Sequence, residues 1–212
     1  MTNLQKRILT ALIILPLSLF FIIKGSYFLI FFLIFILFAG IHELYSVFNK
    51  TKSIIFLSLI LILSLLSIYY LRENTKYFLY LVIVVSICSD IGGYVFGKIF
   101  KWKKLTKISP KKTISGVFGS YFLSIFGVFI FNEIYFENYL GLDTDINFRI
   151  FLIIIIFSTT AQVGDLIISY FKRLEKIKDT GKILPGHGGI FDRIDGLMFV
   201  SIMASILHFT NI

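Results

Sequence analysis

Residues 151–171 read FLIIIIFSTTAQVGDLIISYF, an apolar run that carries a single carboxylate, Asp165, toward its C-terminal end. The run is as long as the ~20 residues that cross ~30 Å of hydrocarbon as a helix. Within lipid a lone spanning segment must satisfy its own backbone groups, which makes it an α-helix. On a helix Gln162, Asp165, Ser169 and Lys172 recur at three- and four-residue spacings and share one face. An ionisable group at such depth is costly. It marks a site that faces the protein interior or a water-filled cavity.

Similar runs extend over most of the chain. Candidate spans fall at residues 8–23, 26–48, 53–71, 77–97, 115–136, 149–171 and 194–212. The expected fold is all-α, a polytopic membrane helix bundle of about seven transmembrane helices. It is read as one integral membrane domain over 1–212, with N-terminal helices in 1–76 and catalytic helices with cytoplasmic loops in 77–212. Composition agrees: 57% hydrophobic and 17% aromatic residues, 25 of them Phe, exceed the roughly 45–50% apolar content of soluble domains. Lys6 and Arg7 precede the first run as they would in a signal peptide, but no small-residue cleavage site follows, and Lys24, Gly25 and Ser26 lead into the next run. A retained helix is expected. Cys88, the single cysteine, can form no disulfide within the chain.

The net charge of +9 is concentrated rather than spread. With a cytoplasmic N-terminus, only Lys24, Arg72, Lys76 and Arg149 of the 21 Lys/Arg fall on the outer side. Every loop then obeys the positive-inside rule, and the stretch 132–147, with Glu133, Glu137, Asp143 and Asp145, is outer. Such bias, with attraction to anionic headgroups, is enough to explain any one of these lysines. Their arrangement asks for more.

Residues 98–116 read KIFKWKKLTKISPKKTISG, where Pro110 fixes a bend and Ser109 and Thr113 set hydroxyls beside Lys111 and Lys112. This is a cradle for a polyphosphate. Residues 169–195, SYFKRLEKIKDTGKILPGHGGIFDRID, join lysines, arginines, carboxylates and His187 to Gly186, Gly188 and Gly189. Those glycines permit positive φ and close approach to an anion, although flexible turns use glycine as well. Asp192 and Asp195 stand one helical turn apart with Arg193 between them. A second intramembrane carboxylate, Asp90, shares a face with Gly93 and Gly97, which open a groove for another helix or a lipid. Carboxylates with lysines at a membrane face suit Mg²⁺ and a nucleoside triphosphate. GGYVFGK at 92–98 imitates a phosphate loop but Ile99 stands where Ser or Thr is required.

Residues 169–195 resemble the signature of the phosphatidate cytidylyltransferase (CDP-diacylglycerol synthase) family: Ser169, Lys172-Arg173, Lys178-Asp179, Pro185-x-His187-Gly188-Gly189 and Asp192-Arg193-x-Asp195. Ser89-Asp90-x-Gly92-x-Tyr94 and Lys107-x-Ser109-Pro110-Lys111-Lys112-Thr113 are similar to its supporting motifs. Ser115 departs from the pattern, where the family usually has an acidic or amide side chain. The resemblance implies that phosphatidate and CTP give CDP-diacylglycerol and pyrophosphate with Mg²⁺, in a centre of one or two metal ions. It implies Asp165 and Asp192 as metal ligands, and Asp195, Lys172, Arg173, Lys178, Asp179 and His187 as further catalytic groups. Asp90, Ser109, Lys111, Lys112, Thr113, Ser169, Gly188, Gly189 and Arg193 are expected to contact substrates.

Expected partners are CTP, phosphatidate and membrane lipids, with no nucleic acid and a homodimer left open. The expected location is a bacterial inner membrane, with the site facing the cytoplasm. Two other classes use part of the pattern. A polyprenol-type lipid kinase would take CTP as phosphoryl donor and release CDP. An ion-coupled transporter would use Asp90 and Asp165 as a path, but residues 151–157 continue it with no polar group.

Overall fold

The computed structural model describes residues 16–106, 108–139, 148–181 and 188–210. Seven helices occur among them: 16–24 (α1), Ser26–Val47 (α2), Thr51–Asn74 (α3), Lys76–Phe100 (α4), Ile114–Tyr139 (α5), Phe148–Leu174 (α6) and Phe191–Phe209 (α7). The expected spans match these within a few residues, and the start of the first, 8–15, lies outside the described residues. Helices α2 to α6 are each long and apolar enough to cross a membrane. Helix α7, with Asp192, Arg193 and Asp195 in its first turns, packs against α6 and α3. The chain is a multi-pass membrane protein.

Polar contacts hold the turns and fix which helix ends lie together. Gly25, at φ 67, separates α1 from α2, and the Arg72 guanidinium donates to the Ile22 and Ile23 carbonyls at 2.7 and 2.8 Å. These are C-terminal carbonyls that α1 cannot satisfy itself. At the other end of the bundle the Glu175 carboxylate accepts from the Asn49 and Lys50 N–H groups and the Ser53 hydroxyl, capping α3. Lys50 in turn donates to the Leu174 carbonyl at 3.0 Å. Glu175→Ala is therefore expected to cost about 1–2 kcal/mol, read as a lower unfolding midpoint of the detergent-purified protein.

Helices α4 and α5 make the most extensive pairing. In lipid no hydrophobic effect drives helices together, so close packing over small residues carries the association. A Cβ on Gly92 would strike the Gly119 carbonyl, one on Gly116 would lie 2.7 Å from the Gly93 carbonyl, and one on Gly97 would lie 2.9 Å from Thr113 Oγ1. The groove expected along Gly93 and Gly97 is thus filled by α5. It is not a free lipid path along its length.

Between α4 and α5 the chain makes a short hairpin. Leu105 N–H donates to the Lys112 carbonyl at 2.9 Å, Ile114 N–H donates to the Lys103 carbonyl at 3.0 Å, and Lys104 pairs with Thr113. Lys112 N–H closes the Pro110 turn onto the Ser109 carbonyl. Thr113 Oγ1 then accepts the Gly116 N–H at 3.1 Å, starting α5 as an N-cap hydroxyl does. This pairing carries Lys111 and Lys112 back over the ends of α4 and α6.

Candidate active site

The C-terminal ends of α4 and α6 and the N-terminal ends of α5 and α7 converge on a cavity of about 530 Å³. Its floor is a chain of hydroxyls: Ser120 donates to the Ser89 carbonyl at 2.7 Å, and the Ser89 and Ser158 hydroxyls lie 3.3 Å apart. Deeper on α6 the packing is apolar, with Ile154 and Phe157 fully buried.

Helix α6 supplies the polar stripe expected of it. Asp165 Oδ2 pairs with Lys112 Nζ at 2.7 Å, and its Oδ1 accepts the Ser169 hydroxyl at 3.3 Å. Lys112 also donates to the Gln162 carbonyl at 3.1 Å, so the hairpin is pinned to α6 through one ammonium. One helical turn beyond Ser169, Lys172 Nζ meets Asp192 Oδ1 of α7 at 2.7 Å, a pair whose side chains are only 12% and 7% exposed. Arg173 donates to the Ile108 and Ile177 carbonyls, which joins the hairpin to the segment after α6.

The other Asp192 oxygen, Oδ2, accepts the Thr180 N–H at 2.8 Å and the Gly189 N–H at 3.2 Å, and lies 3.1 Å from the Thr180 hydroxyl oxygen. Asp192 is thereby fully engaged at the start of α7. A turn later Asp195 lines the same cavity as Asp165 of α6 and Asp90 of α4, so that charge on any of the three carboxylates disfavours charge on the others by repulsion. Lys112 and Arg193 offset that repulsion at Asp90, and Lys172 offsets it at Asp195. Three helices therefore bring three acidic groups and their counter-cations to one space.

Such a donor set fits Mg²⁺. Its preferred ligands are hard oxygens, and a dication would lower the mutual repulsion of Asp90, Asp165 and Asp195. Among the described residues no three His, Cys, Asp or Glu side chains are spaced to hold a metal by themselves. Mg²⁺ asks for less, being held by one or two carboxylates with substrate phosphates and water.

Of the residues expected at the site, Asp90, Ser109, Lys111, Lys112, Thr113, Asp165, Ser169, Lys172, Arg173, Lys178, Asp179, Asp192, Arg193 and Asp195 all line this one cavity. His187 lies outside the described residues, as does Lys107. Gly188 and Gly189 do not line the cavity and stand behind Asp192. Gly188 takes the expected positive φ, 85°, whereas Gly189 does not and is required for space: a side chain there would collide with Glu43 and Thr180. Ser115, the departure from the family pattern, is buried, with its hydroxyl 3.0 Å from Thr113 Oγ1.

Two residues were not anticipated. Glu43 of α2 is fully buried, with its carboxylate against Thr180, Ile190 and Phe191. Its signal was available: an acidic residue in the apolar run GIHELYSVF has no Lys or Arg within helical reach. Thr180, also fully buried, reads in sequence as one more loop residue.

The fold and cavity define a class, a polytopic membrane bundle with a charged chamber of about 530 Å³ at one end. A model described as the cytidylyltransferase family matches residues 53–210, which take in every cavity-lining residue named above. The chain belongs to the cytidylyltransferase family. A phosphatidate cytidylyltransferase of Rickettsia felis is 34% identical over 221 aligned residues, covering 99% of this chain and 93% of its own length. Proteins of the same name from Staphylococcus epidermidis RP62A and Staphylococcus aureus COL are 40% and 42% identical over 136 and 137 residues. Each alignment covers 64% of this chain and 50% of the relative. The chain thus spans about half the length of these staphylococcal relatives.

Proposed function

We propose that this protein transfers CMP from CTP to phosphatidate, giving CDP-diacylglycerol and pyrophosphate in phospholipid biosynthesis. The observation that carries the reading is the meeting of the Lys111–Thr113 hairpin, Asp165 and Asp192 in one cavity, on residues inside the family match. By the distribution of Lys and Arg, the cavity end faces the cytoplasm of a bacterial inner membrane.

Ser109, Lys111 and Thr113 take the triphosphate of CTP, which enters over the basic hairpin. Lys112 and Lys172 are held by carboxylates at 2.7 Å. An arriving triphosphate competes for both ammonium groups, and each lysine that turns to phosphate frees an oxygen of Asp165 or Asp192 to hold Mg²⁺. Bound there, Mg²⁺ would neutralise charge on the transferring phosphoryl group and the leaving pyrophosphate. Phosphatidate arrives from the lipid side past Tyr94, which lines the cavity while 68% exposed. Its phosphate monoester has a second pKa of about 6 and is largely ionised near neutral pH, so its oxygen can attack the α-phosphorus without a strong general base. Lys172, Arg173 and Lys178 stabilise the charge that moves onto pyrophosphate, and positioning supplies most of the rate.

Two measurements test this reading. Turnover should release pyrophosphate in step with lipid product, whereas release of CDP would assign the protein to the lipid kinases. Lys111→Ala should raise the KM for CTP about tenfold, the worth of one charge-assisted contact of roughly 1.5 kcal/mol. The KM for phosphatidate should stay unchanged. Equal effects on the two constants would contradict a nucleotide cradle at the hairpin.

A further inference from the structure

We propose that Glu43, on a helix that does not line the cavity, is a positioning residue for Asp192. This inference rests on the proposed reaction. Glu43 is 0% exposed and sits near the C-terminal end of α2. Its Oε2 accepts the Ile190 N–H at 2.6 Å, and its Oε1 accepts the Phe191 N–H at 3.3 Å and meets the Thr180 hydroxyl. Ile190 and Phe191 begin α7, whose first N–H groups have no partner within the helix. Neither has a side-chain cap of its own, since an isoleucine stands at the N-cap position. A carboxylate from another helix does the capping, where the helix dipole also favours negative charge.

The same carboxylate reaches Asp192 through one intermediate. Thr180 meets Glu43 and Asp192 with the same hydroxyl and donates its backbone N–H to Asp192. The Gly189 N–H adds a further bond to Asp192 at 3.2 Å. The space is fitted closely: Cβ atoms at Gly181 and Gly189 would both collide with Glu43. Glu43 thus ties the segment before residues 182–187 to the start of α7 after them, and sets the register in which Asp192 meets Lys172. Burying a carboxylate is costly unless hydrogen bonds compensate, and here Thr180 on one side and Ile190 and Phe191 on the other supply them.

The test compares Glu43→Ala with Glu43→Gln in full-length, detergent-purified protein. The glutamine carbonyl can accept the Ile190 N–H and its amide can donate to Thr180, whose proton then goes to Asp192; only the longer Phe191 N–H bond, at 3.3 Å, is given up. Amide hydrogen exchange is read without substrates on peptides covering 188–195, and Mg²⁺ dependence is read from CTP turnover. Glu43→Ala should speed exchange tenfold or more and raise the Mg²⁺ concentration for half-maximal turnover about tenfold. Glu43→Gln should hold both within about threefold of the parent. Unchanged exchange in Glu43→Ala overturns the anchor. Faster exchange with an unshifted Mg²⁺ requirement reduces Glu43 to a structural residue and overturns the positioning role, as does Glu43→Gln behaving like Glu43→Ala. Should Glu43→Ala fail to fold, Thr180→Val removes the hydroxyl between Glu43 and Asp192 while leaving the backbone bonds to both carboxylates in place, and an unshifted Mg²⁺ requirement there overturns the positioning role. A parent protein without any turnover would contradict the proposed reaction, while the exchange arm would still decide whether Glu43 holds α7.

Discussion

Asp165→Asn is expected to abolish CTP-dependent lipid product, a loss of about 10³-fold or more, in a protein that still inserts and folds. The two halves of this expectation have different causes. Asp165 lines the cavity beside Asp90 and Asp195, and its oxygens hold Lys112 and Ser169. An asparagine fills the same volume and keeps one acceptor, but it removes the charge that would bind Mg²⁺ and that holds Lys112 in place over α6. Losing one preorganised electrostatic contact in an active site typically costs ~10²–10³-fold, and here metal and ammonium are affected together. Stability should suffer little, because the Lys112–Asp165 pair is 22% and 30% exposed, and its repulsion with Asp90 and Asp195 disappears with the charge. The corresponding change at Asp192 is a less clean test. Asp192→Asn should also be inactive, but it leaves the nearly buried Lys172 without its anion, and breaking buried pairs often costs ~3–5 kcal/mol. Turnover and unfolding midpoint measured on both variants separate these cases. Near-normal turnover of purified Asp192→Asn would remove it from the metal-binding set.

A large loss of stability with no catalytic side chain involved is expected at Gly119→Ala. A methyl group there would lie 2.6 Å from the Gly92 carbonyl and collide with the Phe96 side chain on α4. Backbone cannot rotate away as a long side chain can, so α4 and α5 must separate along their most extensive contact. Overpacking usually costs ~1–3 kcal/mol, and a clash with backbone belongs at the upper end or beyond, about 3 kcal/mol. Gly196→Ala is the natural comparison. Its added carbon would rest 3.4–3.6 Å from Ala161, an ordinary contact, and alanine gains helix propensity over glycine. Unfolding midpoints in detergent should fall sharply for Gly119→Ala and hold or rise for Gly196→Ala. Equal behaviour of the two would contradict the packing described for α4 and α5.

The helices and most of the cavity wall were legible in the sequence because lipid imposes simple demands. A spanning helix needs length and apolar residues, and a buried charge needs a reason, so residues 151–171 announced both α6 and Asp165. Spacing alone placed Gln162, Asp165, Ser169 and Lys172 on one stripe, and the positions of Lys111 and Lys112 were readable from the Pro110 turn. What depends on contacts between distant segments was not readable. The pairing of Lys112 with Asp165 and of Lys172 with Asp192 needs the hairpin and α7 to fold back over α6. The glycines on α4 mark an approach surface, but a groove that admits a lipid and one that admits a helix look alike in sequence; α5 fills this one. In sequence Gly189 suggests backbone freedom, yet what it provides is room for Glu43. That carboxylate lies 149 positions from Asp192 along the chain numbering, and no local pattern connects them.

The central claim is that the cavity joins a cytidine nucleotide to a lipid phosphate. The most direct measurement gives the purified protein phosphatidate, Mg²⁺ and CTP labelled either in the cytidine ring or in the γ-phosphate. Cytidine label should pass into the lipid extract in proportion to pyrophosphate released, with no γ-label following it, and Asp165→Asn should leave both extracts blank. Gamma-label in the lipid, or cytidine label that never leaves the aqueous phase, would contradict the account.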